Sequence, residues 1–319
     1  MFDYDFVSLG GYVLDLYIPV PEFPVEADRT YRVLGKTVEQ EAGGSVGNIT
    51  IMASRLGLKT TTVAYLGQDP YGRHIHDTLQ AEGVDVGYLE FREDLYTPLV
   101  VVLSDAKGKH SYVTNLSHGN IREFPDTWKE AIKRSRLLYV CGYSLLDEGA
   151  AHNVLEVMGF AKENGVKVLF DPGALIGELH RLPEALFMSD ILIPNEQEAV
   201  MISGGQAAQD AIKILHERFA NDLTVVKLGP KGCLFMGKGS REVVHVEGFQ
   251  VDEVLDTTGA GDSFAAAVAK GFLEGQPLEE MGRFANAVGA AVVQKVGSGS
   301  KLPTLDEILE VMENVQSRG

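Results

Sequence analysis

An α/β fold with a mainly parallel central sheet, covered on both faces by helices, is predicted by three features of this 319-residue chain. Short apolar runs alternate with helix-patterned stretches along most of its length. The runs are apolar throughout, as strands buried on both faces must be. Two segments punctuated by proline and turn residues break that rhythm and read as a small β flap over the carboxyl edge of the sheet. The expected arrangement is a three-layer α/β/α sandwich formed by residues 1–319 as one domain, with lid strands from about 12–40 and 97–115 inserted into it.

Each element has its own signal. Residues 6–9 (FVSL) form a first strand. Residues 17–40 carry several prolines and then the alternating run Thr-Tyr-Arg-Val-Leu-Gly-Lys-Thr-Val, read as flap strand. A helix at 46–56, a strand at 61–66 and a helix at 71–82 follow. Residues 97–115 read as a hairpin, TPLVVVLS and HSYVTN around a DAKGK turn. Residues 137–143 (LLYVCGY) are a buried strand, and 150–164 an amphipathic helix ended by Gly165. Strands at 166–170, 191–194 and 224–228 alternate with helices at 196–202 and 207–220. The run GCLFMGKG nearly spells a phosphate loop, but Gly239 stands where a hydroxyl should bind magnesium, so it reads as a strand and hairpin turn. Trp128 reads as a packing residue. His74 and His76, two apart on a helix, face different ways and make no metal pair. The acidic run 307–313 is the polar face of a last helix.

Composition narrows the partners. The chain holds 28 basic and 45 acidic residues, a formal charge of −17. Such a surface repels nucleic acid and anionic lipid, so no nucleic acid and no membrane partner is expected. An anionic ligand needs oriented amides, a metal ion or a few placed cations. Cys141 and Cys233 lie in apolar runs and read as buried thiols. The start, MFDYDF, lacks a basic segment followed by an apolar one, and no apolar run reaches membrane-spanning length, so a cytoplasmic location is expected.

The stretch DTTGAGDSFAAAVAKG, residues 256–271, carries the chemistry. A helix start leaves N–H groups unpaired and bears partial positive charge. Gly259 and Gly261 let backbone approach a ligand closely. Together with Ala260 they form an anion cradle suited to a phosphoryl group. Asp262 then reads as a base that receives a proton from an attacking hydroxyl. A helix entrance should favour its ion and weaken it as a base, which a loose phosphoryl-transfer transition state tolerates. A glycine turn with Asp262 capping the helix is the other reading of the same residues.

This stretch resembles the second signature of the ribokinase-like, phosphofructokinase B-type (pfkB) carbohydrate kinases. GGSVGNITIMASRLG, residues 43–57, resembles their first signature. PNEQEA supplies Asn195-x-x-Glu198, and KLGPKG supplies Gly229-x-x-Gly232, each in the expected order. The resemblance spans essentially the whole chain and implies an ATP-dependent sugar kinase transferring the γ-phosphate to a primary hydroxyl. It assigns the base to Asp262 and the anion hole to the amides of Gly259, Ala260 and Gly261. Asp15, Gly43, Gly44 and Asn48 would hold sugar hydroxyls. Asn195 and Glu198 would order a Mg2+–phosphate network, Glu198 through metal-bound water. Lys227, Gly229, Gly232 and Asn286 would lie along ATP, Lys227 pairing with a phosphate or simply meeting solvent. Asp256 would belong to a monovalent-cation (K+) site, and a homodimer would form through the lid.

Two departures from the family pattern shape further expectations. In VGSGSKLP, Lys301 stands where relatives that use a cation carry serine; either its ammonium replaces K+ near Asp256, or Ser300 fills the role and Lys301 points to water. After Asp171, in FDPGALIG, the nearest basic residue is Arg181. Fixed cations for an acidic or phosphorylated substrate are then limited to Arg29, Arg32 and His110, which favours an uncharged sugar. Two rival readings accompany the first. A nucleoside kinase would stack a base on Tyr12, Tyr17 or Tyr112. A catalytically silent sugar-binding regulator should have lost Asp262 or the Asn195–Glu198 pair, and both are intact.

Overall fold

The structure, a computed structural model, describes residues 2–23, 28–105, 110–115, 121–173 and 183–316. The chain opens with β1 (Tyr4–Leu9), β2 (Val13–Pro19), β3 (Glu39–Gly43), α1 (Gly44–Arg55), β4 (Thr60–Gly67) and α2 (Pro70–Ala81). Next come β5 (Leu89–Arg92), β6 (Leu99–Ser104), β7 (His110–Asn115), α3 (Asp126–Lys133) and β8 (Ser135–Cys141). The middle holds α4 (Glu148–Glu163), β9 (Lys167–Asp171), α5 (Pro183–Met188), β10 (Ile191–Leu192), α6 (Glu196–Ser203) and α7 (Ala208–Phe219). The last elements are β11 (Leu223–Lys227), β12 (Cys233–Gly237), β13 (Val244–Val246), α8 (Ala260–Glu274), α9 (Leu278–Val292) and α10 (Leu305–Gln316).

Nine strands form the central sheet in the order β13-β12-β11-β10-β9-β8-β1-β4-β5. All neighbours are parallel from β11 to β5, while β12 and β13 add an antiparallel edge. Side chains alternate between the faces, as the pleat requires. Phe6, Tyr139, Leu169, Ile191 and Phe235 pack with α1, α2, α8, α9 and α10. Val7, Val140, Phe170, Leu192 and Leu234 pack with α3 to α7. That is the three-layer sandwich expected.

The small-residue run of α8 has a packing reason. Residues Ser263 to Ala269 are all buried, and α8 lies against both α1 and α9. At Gly271 a Cβ would come 2.7 Å from Met281 Cγ, so only glycine lets α9 approach.

A second sheet of four strands, β3-β2-β6-β7, forms the lid. Its inner pair β2–β6 is parallel, and both outer pairs are antiparallel. The hairpin 97–115 appears as β6 and β7, its turn 106–109 lying outside the described residues. Two expectations are corrected. The alternating run 30–38 forms no strand: Leu34 is 90% exposed there, so the pattern has no apolar face to bury. The strand expected at 137–143 runs from Ser135 to Cys141 instead, because Gly142 and Tyr143 turn away in a short 3-10 segment.

Other readings hold. Trp128 is fully buried, and Cys141 and Cys233 are buried free thiols. GCLFMG is strand β12, paired antiparallel to β13. Among the described residues, no helix is long and apolar enough to cross a membrane.

Candidate active site

The carboxyl ends of three adjacent strands converge on one point. β9 ends at Asp171, β11 ends at Lys227, and Asn195, just past β10, bridges Lys227. In a parallel sheet this edge is where ligands are received. Asn195 caps α6 with a reciprocal box: its Oδ1 accepts the Glu198 N–H at 2.9 Å, and its own N–H donates to Glu198 Oε2 at 2.8 Å. The second Glu198 oxygen accepts Asn195 Nδ2 at 2.6 Å. The Asn-x-x-Glu spacing is thus first a helix cap, and it fixes a carboxylate at the cleft.

Facing this point is the entrance to α8. Gly259 is its N-cap with φ 77°, a conformation glycine adopts without a Cβ penalty. The Ala260 N–H donates to Thr257 O at 3.2 Å. Among the described residues, the N–H groups of Gly259, Gly261 and Asp262 have no backbone acceptor, whereas that of Ala260 has one. Tightening the turn consumes one amide and leaves its neighbours free.

Asp262 is held by Asn48, whose Nδ2 donates to Asp262 Oδ2 at 2.9 Å. Burial pushes the Asp262 carboxyl above the ordinary aspartate range; the Asn48 bond opposes this only in part. Burial thus outweighs the hydrogen bonding that favours the Asp262 ion.

On the lid side, Asp15 and Glu41 face each other across β2 and β3, each only 5% exposed. The turn 298–300 clamps both. Ser298 Oγ donates to Asp15 Oδ2 at 2.6 Å, and Ser300 Oγ donates to Glu41 Oε2 at 2.6 Å. Gly299 N–H donates to Asn48 Oδ1 at 3.0 Å, so one turn orients Asp15 and Asn48 together. Burial raises Asp15 to about 6, opposed by its Ser298 bond. Gly43 is required for space: a Cβ there would run into the Asp15 carboxylate. Gly44, with φ 71°, starts α1 in a left-handed turn.

Lys227 is paired and mostly buried rather than simply solvated. Its Nζ donates to Asp171 Oδ2 at 2.6 Å, and its side chain is 16% exposed. Burial alone would lower its pKa, but Asp171 and Glu198 more than offset that and raise it. Glu198 is pushed up to about 7 by burial and by Asp171, against the pull of Lys227. The basic partner of Asp171 thus comes from β11, two strands away across β10; Arg181 lies outside the described residues.

The remaining expected residues divide. Gly229, φ 60°, borders open space. Gly232, φ 91°, is instead crowded by the backbone of 246–248 and holds a turn. Asn286 Nδ2 donates to Val246 O at 3.1 Å and Glu247 O at 3.0 Å, which leaves its Oδ1 for another partner. Asp256 accepts from Thr258 N at 2.9 Å and from Gly297 N at 3.1 Å. Lys301 pairs with Glu39 at 3.2 Å rather than with Asp256, so the idea that its ammonium stands in for K+ is corrected. Tyr12 is buried under hydroxyls of Thr50 and Thr62 and can stack no base. Tyr17 donates to Ser298 Oγ at 3.2 Å. Tyr112, half exposed on β7, lies 3.2 Å from Thr258 Oγ1. Arg29 sits over the Tyr31 ring and Arg32 is exposed, while the His110 side chain lies outside the described residues.

Glu41, Ser45, Ser298 and the Asp171–Lys227 pair were missed or underweighted in the sequence. Ser45 helps hold the Asp262 ion, and its only signal is adjacency to Gly43–Gly44. Ser298 had a weak one, its place in a glycine-serine turn.

An amide cradle opening a helix, a buried carboxylate beside it and a lid carrying further carboxylates define a phosphoryl-transfer enzyme. The chain belongs to the pfkB family carbohydrate kinases, whose profile matches residues 5–305. It is 29% identical to a nucleoside kinase of Methanothermobacter thermautotrophicus over 97% of this chain and 95% of that one. It is 28% identical to a ribokinase of Haemophilus influenzae, over 96% and 97% respectively. It is 30% identical to fructokinase-1 of Oryza sativa subsp. japonica, over 85% and 88%. Among solved structures, Arabidopsis thaliana ribokinase complexed with ribose and ATP superposes with a TM-score of 0.81 at 26% identity, covering 97% of this chain and 99% of that one. An E. coli structure holding ATP and Mg2+ has the same fold, with a TM-score of 0.85 at 22% identity over 98% and 99%.

Proposed function

We propose that this chain transfers the γ-phosphoryl group of ATP to a primary hydroxyl of an uncharged sugar, with Asp262 as the general base. The observation that carries this reading is the pairing of free amides at Gly259, Gly261 and Asp262 with the buried Asp262 carboxylate. The amides offset charge on the moving group, and the carboxylate takes the proton of the attacking hydroxyl. Asp15 and Asn48 hold sugar hydroxyls: a carboxylate accepts their protons, and an amide both donates and accepts. Gly43 and Gly44 open the room for the ring. Lys227, Gly229, Gly232 and Asn286 follow the nucleotide, Gly232 indirectly by shaping its turn.

The donor set suits Mg2+, which keeps most of its shell as water and phosphate oxygen and needs one or two carboxylates. Glu198 supplies one, reaching the ion through water; that an E. coli neighbour of the same fold binds ATP and Mg2+ supports the choice of ion. When bound, the ion neutralises phosphate charge. Asp256 remains the candidate contact for a monovalent cation. The cluster of Asp15, Glu41, Asp171, Glu198 and Asp262 repels an anionic sugar, in favour of a neutral one.

The organisation we propose is a single kinase unit over residues 1–319 with the lid inserted, pairing through its edges into a homodimer and working in the cytoplasm, where ATP is supplied. A coupled ADP-release screen over ribose, fructose, other ketoses, deoxy sugars and nucleosides tests the reading. Sugar-dependent ADP release supports it, and none from any of them removes it. A nucleoside as acceptor is the second reading, favoured by the Tyr112 ring beside Thr258, and a nucleoside response in the same screen would select it.

A further inference from the structure

We propose that Lys227 is a catalytic residue in its own right: its ammonium leaves Asp171 in part to hold the transferring phosphoryl group. The inference rests on the kinase reading above and deepens it. Three observations carry it.

Lys227 closes the carboxyl end of β11, and its N–H is fixed to Pro194 O at 2.9 Å, so its Cα has no freedom to wander. Its side chain turns into the cleft toward Asp171 on β9. Its Nζ lies 3.6 Å from where a Cβ on Gly261 would sit, the nearest atom from outside that turn. The ammonium therefore stands at the open face of the residue whose free amide lines the anion cradle. A group held by the Gly261 N–H is within reach of Lys227 as well.

Charge explains the rest. Asp171, Glu198 and Asp262 all act on Lys227, and together they would repel a phosphoryl group. An ammonium with three donors can keep one on Asp171 and present others to phosphoryl oxygens. The step balances without a proton leaving Lys227. The acceptor hydroxyl oxygen bonds to the γ-phosphorus, the bond from that phosphorus to the β–γ bridging oxygen breaks, and the hydroxyl proton passes to Asp262. Charge spread over the three equatorial oxygens meets the ammonium and the amides. ADP and the phosphorylated sugar are the products.

The test compares wild type, Lys227→Met and the double variant Lys227→Met/Asp171→Asn. The double variant matters because Lys227→Met alone strands a buried carboxylate and can lose its fold. Turnover is measured with ATP and whichever acceptor of the screen the wild type uses best. ADP binding, with and without aluminium fluoride, is measured by calorimetry. Removing one charge-stabilising donor should lower turnover about 10²–10³-fold. ADP affinity should change no more than about threefold, while the extra affinity conferred by aluminium fluoride is lost. The folded double variant should stay as slow as the single one. Recovery of turnover in the double variant, or retained aluminium fluoride binding, overturns the proposal, since Lys227 would then only neutralise Asp171. Both outcomes leave the kinase reading standing; a wild type that releases no ADP with any compound of the acceptor screen removes that reading first.

Discussion

Asn48 Nδ2 donates to Asp262 Oδ2 at 2.9 Å, while Asn48 Oδ1 accepts the Gly299 N–H at 3.0 Å. One amide on α1 thus ties the Asp262 carboxylate at the head of α8 to the turn that clamps the lid carboxylates. Under the proposed function, the sugar side and the phosphoryl side would share this buried side chain.

Asp262→Asn should keep the fold and ADP binding, since the amide can still meet Asn48. Turnover should fall roughly 10²–10⁴-fold, the range for a positioned base. Steady-state kinetics beside ADP calorimetry checks this; near-normal turnover would take Asp262 out of the mechanism.

Asp15 gives a pH dependence with a definite sign. Its folded value, raised to about 6 by burial, lies above the ordinary carboxylate range, so the native state prefers the protonated form. Its relative contribution to stability is full below about 4 and is lost as pH rises through about 6. Asp15→Asn should therefore raise the melting temperature at pH 8 and have no such effect at pH 4. In the wild type, KM for sugar should climb as pH falls through about 6, because the protonated acid accepts fewer hydroxyl protons. A melting series and a KM profile decide both.

Gly43→Ala tests space rather than backbone strain. The Gly43 φ of −107° suits any residue, yet the added methyl meets the Asp15 carboxylate. Displacing it should destabilise by about 1–3 kcal/mol and raise KM for sugar more than KM for ATP. Denaturant titration and kinetics separate these effects.

The lid leaves β3 and β7 at its edges, and Val113 on β7 is 58% exposed. Unpaired edges with apolar side chains invite pairing with a second copy. Sedimentation at micromolar concentration should report a dimer, and Val113→Asp should shift it toward monomer. A wild-type monomer would remove the lid-mediated homodimer.

Much was legible before any coordinates, because strand and helix periods depend only on neighbouring residues. The helix expected at 46–56 is Gly44–Arg55, and that expected at 207–220 is Ala208–Phe219. The alternation at 30–38 misled for the same local reason: period two marks a strand only where a face is buried, and Leu34 faces solvent.

By itself the sequence determined the layered α/β class, the glycine-rich helix entrance and the presence of a carboxylate in its first turn. Which groups meet was decided only in three dimensions. Ser298 reaches Asp15 across 283 residues, Ser300 reaches Glu41 across 259, and Lys227 finds Asp171 across 56. Periodicity says which face a side chain occupies, whereas its partner depends on how adjacent strands and their loops close. Burial follows from that closure, and burial is what raises Asp15, Glu198 and Asp262.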